Sequence, residues 1–253
     1  MRALAVSRIG HDMPDDMLRT LAEEGVDLSG VRRSCERTTR FLIRRGRGPS
    51  CPTLLASRCS EMEARDLEGI NADVIHLGPV AGEIGREVAL EATKLSECVL
   101  LDLQGVLRVF EGDGVRLSGE GLRQFLGIDL VVHLNGEEAA AAAGKSDPLE
   151  CLRTLSRHFR VVSISLGDEG ALFGFPEGLI RATAPRVEAV DDVGAGDVLT
   201  AALGIALARG YGPEDAARFS VASATASTLK VGPRRVEASL ISSLEGRVSL
   251  SWI

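Results

Sequence analysis

From about residue 73 onward, short apolar runs alternate with amphipathic stretches whose apolar positions recur at helical spacing. The runs have the length of buried strands, and the amphipathic stretches have the period of helices. Because strand and helix alternate, the pattern predicts a mostly parallel sheet with helices on both faces, a three-layer α/β/α, Rossmann-like fold. Strands are predicted at residues 73–77, 98–103, 130–134 and 161–166, and helices at residues 81–94, 137–143 and 147–158.

The remaining patterns add smaller elements to this sheet. A strand and a helix are predicted near the start, then a β pair near one sheet edge and two C-terminal helices; these are residues 4–7, 14–24, 171–175, 179–184, 213–229 and 236–244. Residues 37–43 alternate between apolar and polar, a basic turn follows, and residues 53–57 return as a strand. Residues 30–58 are therefore predicted to form a small antiparallel sheet inserted into a single domain of residues 1–253, although a plain surface hairpin fits the same pattern.

Composition narrows the possible partners. The chain of 253 residues has a net charge of −7, which argues against a nucleic-acid surface. No apolar run approaches the roughly 20 residues that span a bilayer, and the first residues do not resemble a signal peptide. The five cysteines form no Cys-x-x-Cys pair, so a reduced cytoplasmic protein without a zinc site is the simplest interpretation.

The stretch at residues 190–200 carries the clearest chemical signal. It is predicted to be the end of a strand (residues 186–190), a glycine-rich turn and the start of an apolar helix. The amides in the first turn of a helix are unpaired and bind anions, and Asp197 lies in that turn. A phosphate cradle beside an ionised base suits phosphoryl transfer to a hydroxyl. The alternative is an ordinary helix cap, in which Asp is common.

The residues Asp-Asp-Val-Gly-Ala-Gly-Asp at 191–197 resemble the C-terminal signature of the ribokinase-like (pfkB-type) carbohydrate kinases, with Asp192 where Thr is usual. By this resemblance, the amides of Gly194, Ala195 and Gly196 form an anion hole and Asp197 is the catalytic base. The resemblance further implies ATP and Mg²⁺ as cofactors.

Two further segments match motifs of that family. Asn135 and Glu138 fit its Asn-x-x-Glu motif, with Asn135 near the phosphates and Glu138 near the metal; a helix-capping pair is the alternative. The segment 165–171 resembles the nucleotide-side turn, which assigns Ser165, Gly167 and Gly170 to cofactor binding. An ordinary turn fits this segment equally.

The predicted strand at residues 98–103 ends at the sheet edge where open α/β sheets bind ligands. Asp102, Gln104 and Arg108 are therefore assigned to the substrate, with a surface salt bridge as the alternative for Arg108. His76 ends another strand at this rim and is interpreted as a packed polar residue. Together with residues 26–30, these segments loosely resemble the archaeal and plant inositol-kinase-like branch of the family.

One departure from the family concerns the beginning of the chain. The family's first strand, with its substrate-binding Asp, and its Gly-Gly-x-x-x-Asn segment have no counterpart, so roughly 30–40 family residues are expected to be absent. The predicted function is ATP- and Mg²⁺-dependent phosphorylation of a small polyol or sugar. A nucleoside kinase and a non-catalytic nucleotide-binding remnant or subunit are the alternatives. In this family an inserted β sheet, predicted here at residues 30–58, forms a lid over the sugar. This lid often makes the contact of a homodimer, so a homodimer through the lid is expected.

Overall fold

The computed structural model describes residues 2–34, 36–43, 53–112, 114–232 and 235–253. The strands in chain order are β1 (Ala3–Ile9), β2 (Val26–Arg33), β3 (Arg40–Ile43), β4 (Thr53–Ser57), β5 (Ile75–Leu77), β6 (Val99–Asp102), β7 (Arg108–Glu111), β8 (Gly114–Leu117), β9 (Val131–Asn135), β10 (Val161–Ser165), β11 (Ala171–Phe175), β12 (Gly178–Thr183) and β13 (Ser249–Trp252). The helices are α1 (Asp15–Glu23), α2 (Arg86–Leu95), α3 (Gln104–Leu107), α4 (Gly136–Ala143), α5 (Pro148–Leu155), α6 (Ala195–Ala208), α7 (Pro213–Ser227) and α8 (Ala238–Glu245).

A seven-stranded sheet in the order β13-β12-β11-β10-β9-β6-β5 forms the centre of the molecule. Strands β5, β6, β9 and β10 run parallel to one another. Strands β11, β12 and β13 continue the sheet as an antiparallel meander. The predicted fold class is confirmed, and the parallel half of the sheet is the half in which strand and helix alternate along the sequence.

Both faces of the sheet are covered because adjacent residues of each central strand point to opposite sides. Leu101 and Val132 pack in the core on the side of α2, α4 and α5. Their neighbours Leu100 and Val131 pack in the core on the side of α6, α7 and α8. A parallel sheet covered in this way needs strands that are apolar on both faces, which explains the continuous apolar runs in the sequence.

Outside the central sheet, β1 and β2 form a parallel pair of their own. A four-stranded antiparallel sheet in the order β3-β4-β8-β7, called the lid sheet below, joins two distant parts of the chain. The predicted lid segment contributes β3 and β4, while residues 30–33 belong to β2 and residues 44–52 lie outside the described residues. The assignment of residues 30–58 as the lid of a single domain stays a prediction.

The strand predicted at residues 186–190 is wrong. This segment is a loop, and the amides of Val190 and Asp191 donate to the carbonyl of Thr228 at 2.7 and 3.1 Å instead of to a neighbouring strand. The helix predicted from residue 81 begins only at Arg86. Its expected first turn is diverted because the Glu83 carboxylate accepts hydrogen bonds from the amides of Val80 and Ala81, at 2.9 and 2.6 Å.

No helix within the described ranges is long and apolar enough to cross a bilayer.

Candidate active site

The glycine-rich turn leads directly into α6. Gly194 is the residue before the helix and has a left-handed backbone with φ of 85°, which glycine adopts without steric cost. The Ala195 amide donates to the Asp192 carbonyl at 3.2 Å. The amides of Gly194 and Gly196 have no acceptor among the described residues. Two of the three predicted anion-hole amides are therefore open, while the third is used within the turn.

The turn is held from behind by Asp191. One oxygen of its carboxylate accepts a hydrogen bond from the Val193 amide at 3.2 Å, and the other accepts one from the Gly232 amide at 3.0 Å. Asp191 thereby ties the turn to the segment that follows α7. Asp192, the residue that replaces the usual Thr, is exposed.

Asp197 lies in the first turn of α6. Its Oδ2 atom bends back over the turn, 3.8 Å from where a Cβ on Gly194 would stand. The residue as a whole is exposed, whereas its carboxyl group is partly enclosed by the site. Burial of the carboxyl raises its pKa, the charge of Asp102 raises it further, and His76 and His133 oppose the shift. These influences leave Asp197 a stronger proton acceptor than an ordinary exposed aspartate.

Asp102 ends β6 and is aligned with His133 of β9. Its Oδ1 atom accepts a hydrogen bond from the Gln104 amide at 3.0 Å, which starts the short helix α3. Burial raises the pKa of Asp102, while the Gln104 amide, His76 and Arg108 lower it. Asp102 is the neighbour of His133, whose imidazole lies against Gly196, so the end of β6 and the start of α6 meet at one site, where the charge of Asp102 raises the pKa of Asp197.

Asn135 and Glu138 form a reciprocal capping box at the start of α4. The Glu138 amide donates to Asn135 Oδ1, and the Asn135 amide donates to Glu138 Oε2, each at 2.9 Å. The capping alternative is thus what the structure shows for these atoms. Glu138 is also buried, and burial raises its pKa against the lowering effects of the Asn135 amide, Arg108 and Gln104. Its carboxylate therefore belongs to the same cluster as Asp102.

The described part of the chain contains no group of three or more His, Cys, Asp or Glu side chains placed to hold a metal ion. Glu138 already uses one oxygen on the Asn135 amide. Mg²⁺ takes few protein ligands and keeps several waters when it binds with phosphates. The residues present therefore fit a metal held mainly by phosphate oxygens and water, with Glu138 beside it.

Arg108 faces the cluster instead of solvent. Its guanidinium donates to the Val80 carbonyl at 2.9 Å and lies 4.9 Å from the centre of the Phe41 ring. Burial lowers its pKa, and Glu138, Asp102 and Glu83 raise it. Within the described ranges Arg108 forms no ion pair shorter than 4.0 Å, so the structure gives no support there to the surface salt-bridge alternative.

The predicted nucleotide-side turn lies one strand further along the sheet. Ser165 ends β10 opposite Asn135, and Gly167 and Gly170 both have positive φ, of 63° and 104°. A Cβ on Gly170 would stand 2.1 Å from the Ala182 carbonyl oxygen, whereas one on Gly167 would meet nothing within 4 Å. Packing against β12 thus accounts for the glycine at position 170 without any contact to a nucleotide.

Two histidines lie at the site although the sequence did not assign them to it: His133 was not considered, and His76 was interpreted as a packed polar residue. His133 is 3% exposed, beneath the α6 turn, and burial lowers its pKa to about 4. It is a polar residue inside an apolar strand, on the same face as Asn135, and that pattern is the signal that could have found it. His76 has a buried Nε2 atom with no hydrogen-bond partner among the described residues, and burial lowers its pKa.

Comparisons with known proteins agree with this geometry. Residues 118–239 match the model of the pfkB family carbohydrate kinases. The chain is 35% identical over 117 residues to a 1-phosphofructokinase of Haloferax volcanii, in a match that covers 44% of this chain and 38% of that protein. It is 40% identical over 73 residues to the ATP-dependent 6-phosphofructokinase isozyme 2 of Escherichia coli, covering 29% and 24% of the two chains. The matches span less than half the length of these curated relatives.

The fold is similar to the solved sulfate complex of a pyrophosphate-dependent kinase in the ribokinase family. The TM-score is 0.80 at 21% identity, and the match covers 93% of this chain and 84% of that chain. At this identity the likeness concerns the fold. The chain therefore has the ribokinase-like fold, and its residues 118–239, which include the Gly-Ala-Gly-Asp turn at the start of α6, match the pfkB family of carbohydrate kinases.

Proposed function

We propose that the protein transfers the terminal phosphoryl group of Mg²⁺-bound ATP to a hydroxyl of a small polyol or sugar. One observation carries this proposal: a carboxylate and two open amides share the first turn of α6, at the sheet edge where Asp102, Glu138 and Arg108 meet. Phosphoryl transfer needs mainly positioning and charge stabilisation, and these groups supply both.

Each residue has a definite part in the proposed reaction. Asp197 accepts the proton of the attacking hydroxyl, for which a raised pKa is suitable. The amides of Gly194 and Gly196 donate hydrogen bonds to oxygens of the transferred phosphoryl group. Asp102 orients the acceptor through its hydroxyls. Mg²⁺, when bound beside Glu138, neutralises charge on the phosphate oxygens.

Asp102 supports a polyol or sugar as the acceptor. Its Oδ1 atom accepts a hydrogen bond from the Gln104 amide, and carboxylates also accept hydrogen bonds from hydroxyls. A nucleoside is the remaining alternative.

The phosphoryl donor is either ATP or pyrophosphate. The similar fold described above is that of a pyrophosphate-dependent kinase, whereas the Escherichia coli relative is ATP-dependent. Both donors end in a phosphate that the open amides of the α6 turn suit equally. The segment from Ser165 to Gly170 supports ATP, since a nucleotide needs a site for its base and pyrophosphate does not.

The test is a matrix of donors and acceptors in the presence of Mg²⁺. ATP, ADP and pyrophosphate are each combined with inositols, pentoses, hexoses, their monophosphates and nucleosides, and transfer is read by ³¹P NMR of the products. The expected result is a new phosphate ester of a neutral polyol or sugar with ATP as donor. Donor binding without transfer to any acceptor would contradict the proposal and favour a nucleotide-binding subunit.

The lid sheet is also proposed to form a homodimer contact. This proposal draws on Leu42 in β3, a large apolar side chain of the lid sheet that is 57% exposed. Light scattering of the purified protein tests this, with a monomer at micromolar concentration as the contrary result.

A further inference from the structure

His133 lies at the centre of β9, aligned with Asp102 of β6 on one side and Ser163 of β10 on the other. His133 Nδ1 and the Ser163 hydroxyl are hydrogen-bonded at 3.0 Å, and the hydroxyl oxygen also lies 3.3 Å from the Val132 carbonyl oxygen. This bond holds the Nδ1 side of the imidazole ring against β10.

The Nε2 end of the ring faces the first turn of α6. A Cβ built on Gly196 would stand 3.2 Å from His133 Nε2 and 3.9 Å from Cδ2, and apart from α6 itself and the adjacent residues it would meet no other described atom within 4 Å. The φ of Gly196 is not positive, so its backbone is one that any residue adopts. A side chain at position 196 would therefore press on the imidazole and require it to shift by a few tenths of an ångström.

We propose that His133 is a positioning residue: its imidazole is the surface on which Gly196 rests, and it fixes where the open amides and Asp197 stand. This inference rests on the function proposed above. The start of α6 carries both the open amides and the carboxylate. A change in the distance between this turn and the His133 imidazole therefore moves all of these groups together. Misplacement of reacting groups by about 1 Å costs on the order of 10² in rate.

A residue that merely filled the core would behave differently. Its replacement would lower stability, and a side chain at position 196 would have an effect independent of it. The contact between His133 and Gly196 instead requires that the two positions depend on each other, which a double-mutant cycle measures.

The variants are Gly196→Ala, His133→Asn and the double variant. His133→Asn keeps a donor for Ser163 and leaves space beneath position 196. We expect Gly196→Ala to lower kcat by about tenfold or more, with the acceptor KM within about twofold of wild type. In the His133→Asn background, the same change should cost less than about threefold, because the added methyl group then has room. Gly212→Ala, at the start of α7 with nothing within 4 Å of the added Cβ, is the matched glycine control.

Binding of inorganic pyrophosphate, measured by calorimetry with Mg²⁺, gives a readout that does not need turnover, and thermal unfolding shows whether each variant is folded. The same dependence between positions 133 and 196 is expected in the pyrophosphate Kd. If His133→Asn does not fold, His133→Gln replaces it in the cycle. Effects that multiply in the double variant, or a Gly196→Ala variant that behaves as wild type, would overturn the inference. Absence of turnover in the wild type would contradict the proposed function alone, since pyrophosphate binding still decides the role of His133.

Discussion

Replacement of Asp197 by Asn tests the centre of the proposed chemistry. The change keeps the size of the side chain and removes its ability to accept a proton. General-base catalysis contributes about 10²–10⁴ in rate, equivalent to about 2.7–5.4 kcal/mol of transition-state stabilisation. We expect kcat of Asp197→Asn to fall by that range in a coupled assay of ADP release. The donor KM should change little, because the amides of Gly194 and Gly196 are untouched.

The same variant should not be less stable than wild type. The pKa of Asp197 is raised in the folded state, by burial first and by Asp102 second. A carboxyl whose folded pKa exceeds its unfolded pKa costs stability at neutral pH, and that cost disappears as the pH falls below the unfolded value. The helix dipole favours the charge by about 0.3–1 kcal/mol, yet the raised pKa shows that the opposing effects are larger. Thermal unfolding at pH 7 should give an unchanged or higher Tm, and wild-type turnover in the folded variant would refute the role of Asp197.

Three further outcomes follow from the site. Asp102→Asn removes a charge that raises the pKa of Asp197, so the acid limb of the pH profile of kcat/KM should move to lower pH; an upward shift would contradict this. Glu138→Ala should lower the free energy of unfolding by about 1–2 kcal/mol through the lost capping box, while Glu138→Gln, which keeps an acceptor for the Asn135 amide, should lose less in the same urea titration. Gly170→Ala should be about 1–3 kcal/mol less stable than Gly167→Ala, because only the Cβ at 170 meets backbone atoms; equal stability of the two would refute the packing account.

The parallel half of the fold could be predicted because its sequence signal is local. Strands β5, β6, β9 and β10 are short apolar runs, and the helices between them have helical spacing. The glycine-rich turn was predicted for a similar reason, since the residue types needed at a helix start are adjacent in sequence. The structure has two open amides instead of three because the Ala195 amide donates to the Asp192 carbonyl. No pattern in the sequence indicates this hydrogen bond.

The elements that were missed depend on distant partners. Strands β7 and β8 complete the lid sheet only because β4 pairs with β8, some 60 residues later in the chain. The segment at residues 186–190 has the composition of a strand, but its amides find the carbonyl of Thr228. His133 was missed because its importance comes from its contact with Gly196, and only the fold brings these two residues together.

Arg108 shows how the lid sheet and the cleft depend on each other. It is the first residue of β7, so the chain leaves the sheet edge at Asp102 and enters the lid within six residues. Its guanidinium lies over Phe41 of β3, whose ring is 6.4 Å from that of Phe110 in β7. The same group donates to Val80 and is influenced by the carboxylates of the cleft. Any movement of the lid that displaces Phe41 would therefore expose the guanidinium and change the charge balance around Asp102. The packing of the lid sheet and the charges around Asp102 are thus linked through one side chain.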